Sequence, residues 1–285
     1  MDLHERLLVQ VSARDVYDAV ALAGHPGSGL VFTGQAAHDA VRMVRRHGYD
    51  GPVLADRRRY AGSARVRGTA RLSADWIADQ VESGVTAPLT DSGYIGKGDE
   101  ESLHAILEQA ARWEGVIAVL PLHARWLTQD RATLTRTVVD YGVPVALVVE
   151  DGAPYLPMAL PLLAAGVEAP AALAYGAEWA AVGVREVLRH LYPDTHEPRG
   201  GWRRGGARSA FVTERLAFVP VERLGPGTCG CSTCHGRPLR HLVAADELVV
   251  NTHNAKCLHR LHNRLLRATD RRRWWRELTA AALTA

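Results

Sequence analysis

Residues 116–149 read VIAVLPLHARWLTQDRATLTRTVVDYGVPVALVV, and this stretch decides the fold class. It opens on an apolar run, Val116–Leu120, passes a polar turn, and enters Arg131–Tyr141, where Leu134, Val138 and Tyr141 recur at helical spacing. A second apolar run, Pro144–Val149, follows. Strands apolar on both faces, separated by an amphipathic helix, are the mark of a parallel sheet covered on both sides.

Working outward, the same unit recurs. Further strand candidates are Leu7–Ser12, Gly29–Thr33, Pro52–Ala55, Ala87–Asp91 and Pro170–Tyr175. Helical stretches lie at Asp15–Leu22, Ala36–His47, Ala74–Ser83 and Glu100–Trp113. Ser209–Thr213 or Leu216–Val219 could supply an eighth strand. The expected fold is therefore α/β, a (β/α)8 TIM-type barrel, with a doubly wound open sheet as the alternative. A barrel domain over 1–222 would be followed by a zinc-binding segment over 223–285 with a long helix from about Asn251 to Thr279.

Composition narrows the classes. The 285 residues are 47% hydrophobic and 23% charged, enough to bury a full core. No apolar run reaches the roughly 18 residues of a membrane helix, and the N-terminus lacks a signal-peptide pattern, so a cytoplasmic protein is expected. Net charge is only +3, with 34 basic against 31 acidic residues, which neither requires nor excludes a nucleic-acid partner.

The four cysteines, at 229, 231, 234 and 257, lie in the last fifth of the chain. Such crowding points to metal binding in a reducing compartment rather than to a disulfide framework. Cys229-x-Cys231-x2-Cys234 can wrap one Zn2+, and His253, Cys257 and His262 are candidates for the fourth ligand. Four protein ligands would make the site closed and structural.

In a parallel α/β fold chemistry gathers where the strands end. Asp56, Asp91 and the pair Glu150-Asp151 stand at such positions. For catalysis Asp91 comes first, Asp151 second and Asp56 third. Three arginines follow Asp56 and would lower its pKa if they folded beside it. Basic stretches, among them Arg57-Arg58, Arg203-Arg204 and Arg271-Arg272, could form one footprint for a polynucleotide.

The run CGCSTCHGRPLRHLVAADELVVNTHN (229–254) resembles the zinc segment of tRNA-guanine transglycosylases, the queuine and archaeosine tRNA-ribosyltransferases. That resemblance favours His253, followed by Asn254, as the fourth zinc ligand. Leu89-Thr90-Asp91-Ser92-Gly93 is similar to the family's LTDSGG signature, whose Asp and Ser line the base pocket. In ALVVEDGAPY, Glu150 takes the place of the residue that reads the purine edge, and Pro154-Tyr155 match directly. The resemblance implies a short pentosyltransferase. Such an enzyme would exchange a guanine or 7-deazaguanine-type base in tRNA or DNA by carboxylate-assisted N-glycosidic chemistry, with Ser92, Glu150 and Tyr155 at the base. The family's segment with its nucleophilic Asp has no match between 156 and 228. Two other functions follow: a non-catalytic, zinc-stabilised subunit that holds nucleic acid for a catalytic partner, or transfer on a free base or nucleoside. A homodimer would also fit.

Overall fold

The computed structural model describes residues 2–62, 65–150, 159–189, 191–192 and 208–284. Seven strands form one parallel sheet: β1 (Arg6–Ser12), β2 (Leu30–Thr33), β3 (Val53–Asp56), β4 (Ala118–Leu122), β5 (Val145–Val149), β6 (Leu162–Ala165) and β7 (Trp179–Gly183). Their order is β3-β2-β1-β7-β6-β5-β4, and the sheet is curled into a half-barrel. In β1, Leu7 through Val11 are buried without alternation. A strand buried on both faces must be covered on both sides, and parallel crossover helices provide that cover.

The helices are α1 (Val16–Leu22), α2 (Ala37–Arg46), α3 (Ala74–Ser83), α4 (Glu100–Ala110), α5 (Arg131–Tyr141) and α6 (Glu168–Ala174). Their ends follow local chemistry. Ser73 caps α3 by accepting from the Trp76 N–H at 3.1 Å, and Asp99 caps α4 by accepting from the Ser102 N–H at 3.0 Å.

The stretch expected as a strand at Ala87–Asp91 lies between the two edge strands but is irregular. Thr86 N–H donates to Val53 O of β3 at 2.8 Å, and Ile117 N–H, just before β4, donates to Pro88 O at 2.9 Å. Pro88 has no N–H to give a ladder, and the Thr90 hydroxyl instead accepts from Val119 N–H at 2.8 Å. Gly93 follows because the chain crosses itself there. A Cβ on it would lie 2.1 Å from the Arg67 carbonyl oxygen.

Three expectations are corrected. Pro170–Tyr175 is not a strand but the body and C-cap of α6, since proline fits a helix's first turn and alanine is the best helix former. The strands on either side, β6 and β7, were hidden by alanine-rich sequence lacking strand character. Residues 209–212 and 217–220 do not extend the parallel sheet; they pair with each other as an antiparallel hairpin, β8 (Ser209–Val212) and β9 (Ala217–Pro220). Finally, the long C-terminal helix is two, α7 (Glu247–Leu266) and α8 (Arg271–Ala282). Asp270 starts the second by accepting from Arg273 N–H at 2.9 Å.

One hydrophobic cluster runs from Leu7 and Leu120 of the sheet through Leu258 and Leu261 of α7 to Trp275 of α8. The C-terminal segment thus shares the core of the sheet. Among the described residues no helix is long and apolar enough to cross a membrane.

Candidate functional site

Residues 229–237 fold into a tight knuckle. Cys234 and His235 N–H both donate to Cys231 O, at 3.1 and 2.9 Å, and Gly236 N–H donates to Cys229 O at 2.9 Å. Helix α7 brings His253 and Cys257, one turn apart on one face, against this knuckle. Donor atoms of Cys229, Cys231, His253 and Cys257 all lie within 4.8 Å of one another. Cys234 is not one of that mutually close group, but its Sγ is 3.2 Å from His253 Nδ1. Cys229 Sγ is 3.5 Å from Cys257 Sγ, and Cys231 Sγ is 3.6 Å from His253 Nδ1.

These spacings suit a metal with soft ligands. Burial and the neighbouring sulfurs raise the Cys234 thiol. Cys257 is raised because it donates a hydrogen bond to Cys231, with burial adding to the effect. Four packed sulfurs therefore cannot ionise together on their own, whereas a divalent cation would let them. Sequence placed Cys234 in the ligand set and left Cys257 as an alternative; the structure brings both to His253. His262 is elsewhere, its Nε2 3.0 Å from the Glu5 carbonyl oxygen.

The second cluster lies where the strands end. Asp56 closes β3, with Oδ2 accepting from the Tyr60 hydroxyl at 2.6 Å and Oδ1 from Arg58 N–H at 2.9 Å. Arg57 and Arg59 turn away from it to Asp91, reaching Oδ2 at 2.9 and 2.7 Å. Asp56 is therefore not lowered as the sequence suggested; burial pushes its carboxyl above the usual range against those hydrogen bonds. Asp91 Oδ1 accepts from Ser73 N–H at 2.9 Å. Ser92 is buried, its hydroxyl 2.7 Å from that of Thr90.

Glu150 follows β5. Its Oε1 accepts from the Tyr94 hydroxyl at 2.6 Å and its Oε2 from Ala124 N–H at 3.1 Å, with His123 Nε2 at 3.7 Å. Tyr94 carries the Arg65 guanidinium 4.5 Å above its ring. Asp151, Tyr155, Arg203 and Arg204 lie outside the described residues.

Sequence reasoning missed Gln10. It projects from β1 into this face, donating to Thr33 Oγ1 at 2.8 Å and Asp56 Oδ2 at 3.4 Å, and accepting from Ala164 N–H at 2.7 Å. A glutamine in the apolar run LLVQVS was the available signal. Ala164 has φ 49°, left-handed backbone in a strand whose pairing with β7 shifts register there.

The basic residues separate. Arg57 and Arg58 are at the strand-end face. Arg271 instead bonds Glu5, ahead of β1, at 2.6 Å, and Arg272 donates to Tyr175 O, ahead of β7, at 3.2 Å. These two arginines lie toward the opposite end of the strands, so the four do not make one footprint. No family model and no curated protein matches the chain.

Proposed function

We propose that the protein is a transglycosylase-like enzyme that exchanges a guanine or 7-deazaguanine-type base on tRNA or DNA. The observation that carries this reading is the convergence of three buried carboxylates, Asp56, Asp91 and Glu150, on the strand-end face of one parallel sheet. Hydrogen bonds from segment 86–92 to both edge strands support reading the sheet as a closed (β/α)8 barrel. Four-coordinate zinc is the metal suited to the cysteine-rich donor set, with His253 and three of the four cysteines as ligands. Its role is to pin α7 and the hairpin to the sheet.

Each carboxylate suits a different task. Asp56, whose carboxyl burial raises, is the acid we assign to protonate the departing base as the sugar C1′–N bond breaks. Asp91, between two guanidiniums, is an anion for the cationic sugar. The incoming base gives its N–H proton back to the Asp56 carboxylate as it forms the new C1′–N bond, so the acid is restored for the next exchange. Glu150, oriented by Tyr94, can accept from the N–H/NH2 edge of a guanine-like base. Incorporation of isotopically labelled guanine into tRNA and into DNA tests this. Asp56→Asn and Asp91→Asn should each lower the rate by about 100-fold or more. Undiminished incorporation in both would refute the reading.

One observation favours the non-catalytic alternative. Both oxygens of Asp91 are engaged by Arg57, Arg59 and Ser73. In that case Asp91 braces the loop after β3, and nucleic-acid binding persists without exchange.

A further inference from the structure

Beside the carboxylates lies a feature that base exchange does not use. An open cleft of about 750 Å3 runs across the ends of β1, β2 and β7, lined by Ser12, Arg14, Thr33, Arg58 and Arg185. Its charge is unbalanced. Arg185 is paired twice, 3.2 Å from Asp15 and 2.9 Å from Glu247. Asp39, on the rim, is taken by Arg42 at 2.8 Å. Arg14 and Arg58 have no ion pair among the described residues.

Arg58 is held here at a backbone cost. Its φ is 60°, a region that side chains other than glycine avoid, worth about 1–3 kcal/mol. Its guanidinium donates to the Val187 carbonyl oxygen, which holds the side chain at the cleft wall. His38 also lines the cleft, with its Nε2 3.6 Å from Asp39. The first turn of α2, which has no side-chain cap, also borders the space. The cationic groups that face this space without a carboxylate share one need, an acceptor with several oxygens and negative charge.

We propose that this cleft binds a phosphate group, with Arg14 and Arg58 as its cationic contacts. Thr33 Oγ1, which accepts from Gln10, has its own hydroxyl proton left to donate. Gln10 also reaches Asp56, so a phosphate held here lies one side chain from that carboxylate. The position fits the phosphate of a nucleotide whose sugar faces the strand ends. This placement of the sugar rests on the transfer reading; the phosphate site itself does not.

Phosphate can arrive as the monoester of a free nucleotide or as the diester of a polynucleotide. Calorimetric titration of the full chain with ribose 5-phosphate, and separately with a single-stranded oligonucleotide lacking terminal phosphates, separates the two. Arg14→Ala removes an exposed side chain that has no side-chain partner among the described residues and should leave the fold intact; Arg58→Ala is the second variant. Either probe should lose at least about 10-fold in affinity in Arg14→Ala, the usual effect of one charge-assisted hydrogen bond. Loss seen with ribose 5-phosphate identifies a monoester site, and loss seen with the oligonucleotide alone a diester site. If wild-type protein binds neither probe, or both variants bind as wild type does, the site is refuted. Phosphate binding that survives alongside absent base exchange would overturn the transfer reading and leave this one standing.

Discussion

His253 turns Nδ1 to the cysteines because its Nε2 is committed, 3.0 Å from the carbonyl oxygen of Phe211. A backbone partner on one ring nitrogen fixes the tautomer and leaves the other nitrogen's lone pair for a metal. The hairpin carrying Phe211 and the helix carrying His253 are thus joined through the proposed metal centre.

Metal removal should therefore be felt well beyond the knuckle. Purified protein is expected to hold one zinc per chain by elemental analysis. A strong chelator should release the 225–284 segment, followed as loss of amide-exchange protection there, because metal-binding energy in such sites is folding energy. Cys231→Ser should act in the same direction. Protection unchanged in chelator would remove the structural role.

Asn254, next to that histidine, works on the same hairpin. It accepts from Phe211 N–H at 2.7 Å and donates to Ser209 O at 2.9 Å. Asn254→Ala leaves two backbone groups unpaired in a buried place, at about 1–3 kcal/mol each. Denaturant unfolding should show a fall of about 2–6 kcal/mol, and a change below 1 kcal/mol would contradict the assignment.

Much of this was legible in sequence. The Cys-x-Cys-x2-Cys run and a nearby His announced the Cys/His cluster that could hold a metal, and α3 and α5 emerged with their observed bounds because the polar and apolar positions alternate at helical period. What stayed hidden has physical causes. The alanine-rich stretch Leu162–Gly183 holds two strands and a helix, nearly all of whose residues are buried, so no amphipathic period marks where one ends. The partner choice of Arg57 and Arg59, Asp91 rather than the adjacent Asp56, depends on how the chain returns after some thirty residues, which no local pattern encodes.

Gly93 gives a sharp steric test. With the Arg67 carbonyl oxygen only 2.1 Å from where a Cβ would sit, Gly93→Ala must push backbone from backbone. A destabilisation of about 3 kcal/mol is expected, at the upper end of overpacking effects. A thermal midpoint unchanged from wild type would show that the crossing is looser.

Acid should weaken the joint between α7 and the start of β1. Burial depresses His262 to about 4 from an ordinary 6.5, against the favourable Glu5 carbonyl and carboxylate and with Arg271 nearby. The unfolded chain takes up the proton first, so the contribution is complete above pH 6.5 and is lost as the pH falls toward 4. That loss is about 3 kcal/mol at most. His262→Gln should flatten the fall in urea midpoint between pH 7 and pH 4.5; an identical slope in variant and wild type would exclude His262 as its source.

The most direct measurement of the central claim is calorimetric titration of the zinc-loaded protein with guanine and with a 7-deazaguanine base. The account predicts one base per chain, with affinity reduced at least about 10-fold in Glu150→Gln, since the amide no longer presents two acceptors to the N–H/NH2 edge. No binding by folded, metal-loaded wild type, or equal binding by Glu150→Gln, would contradict it.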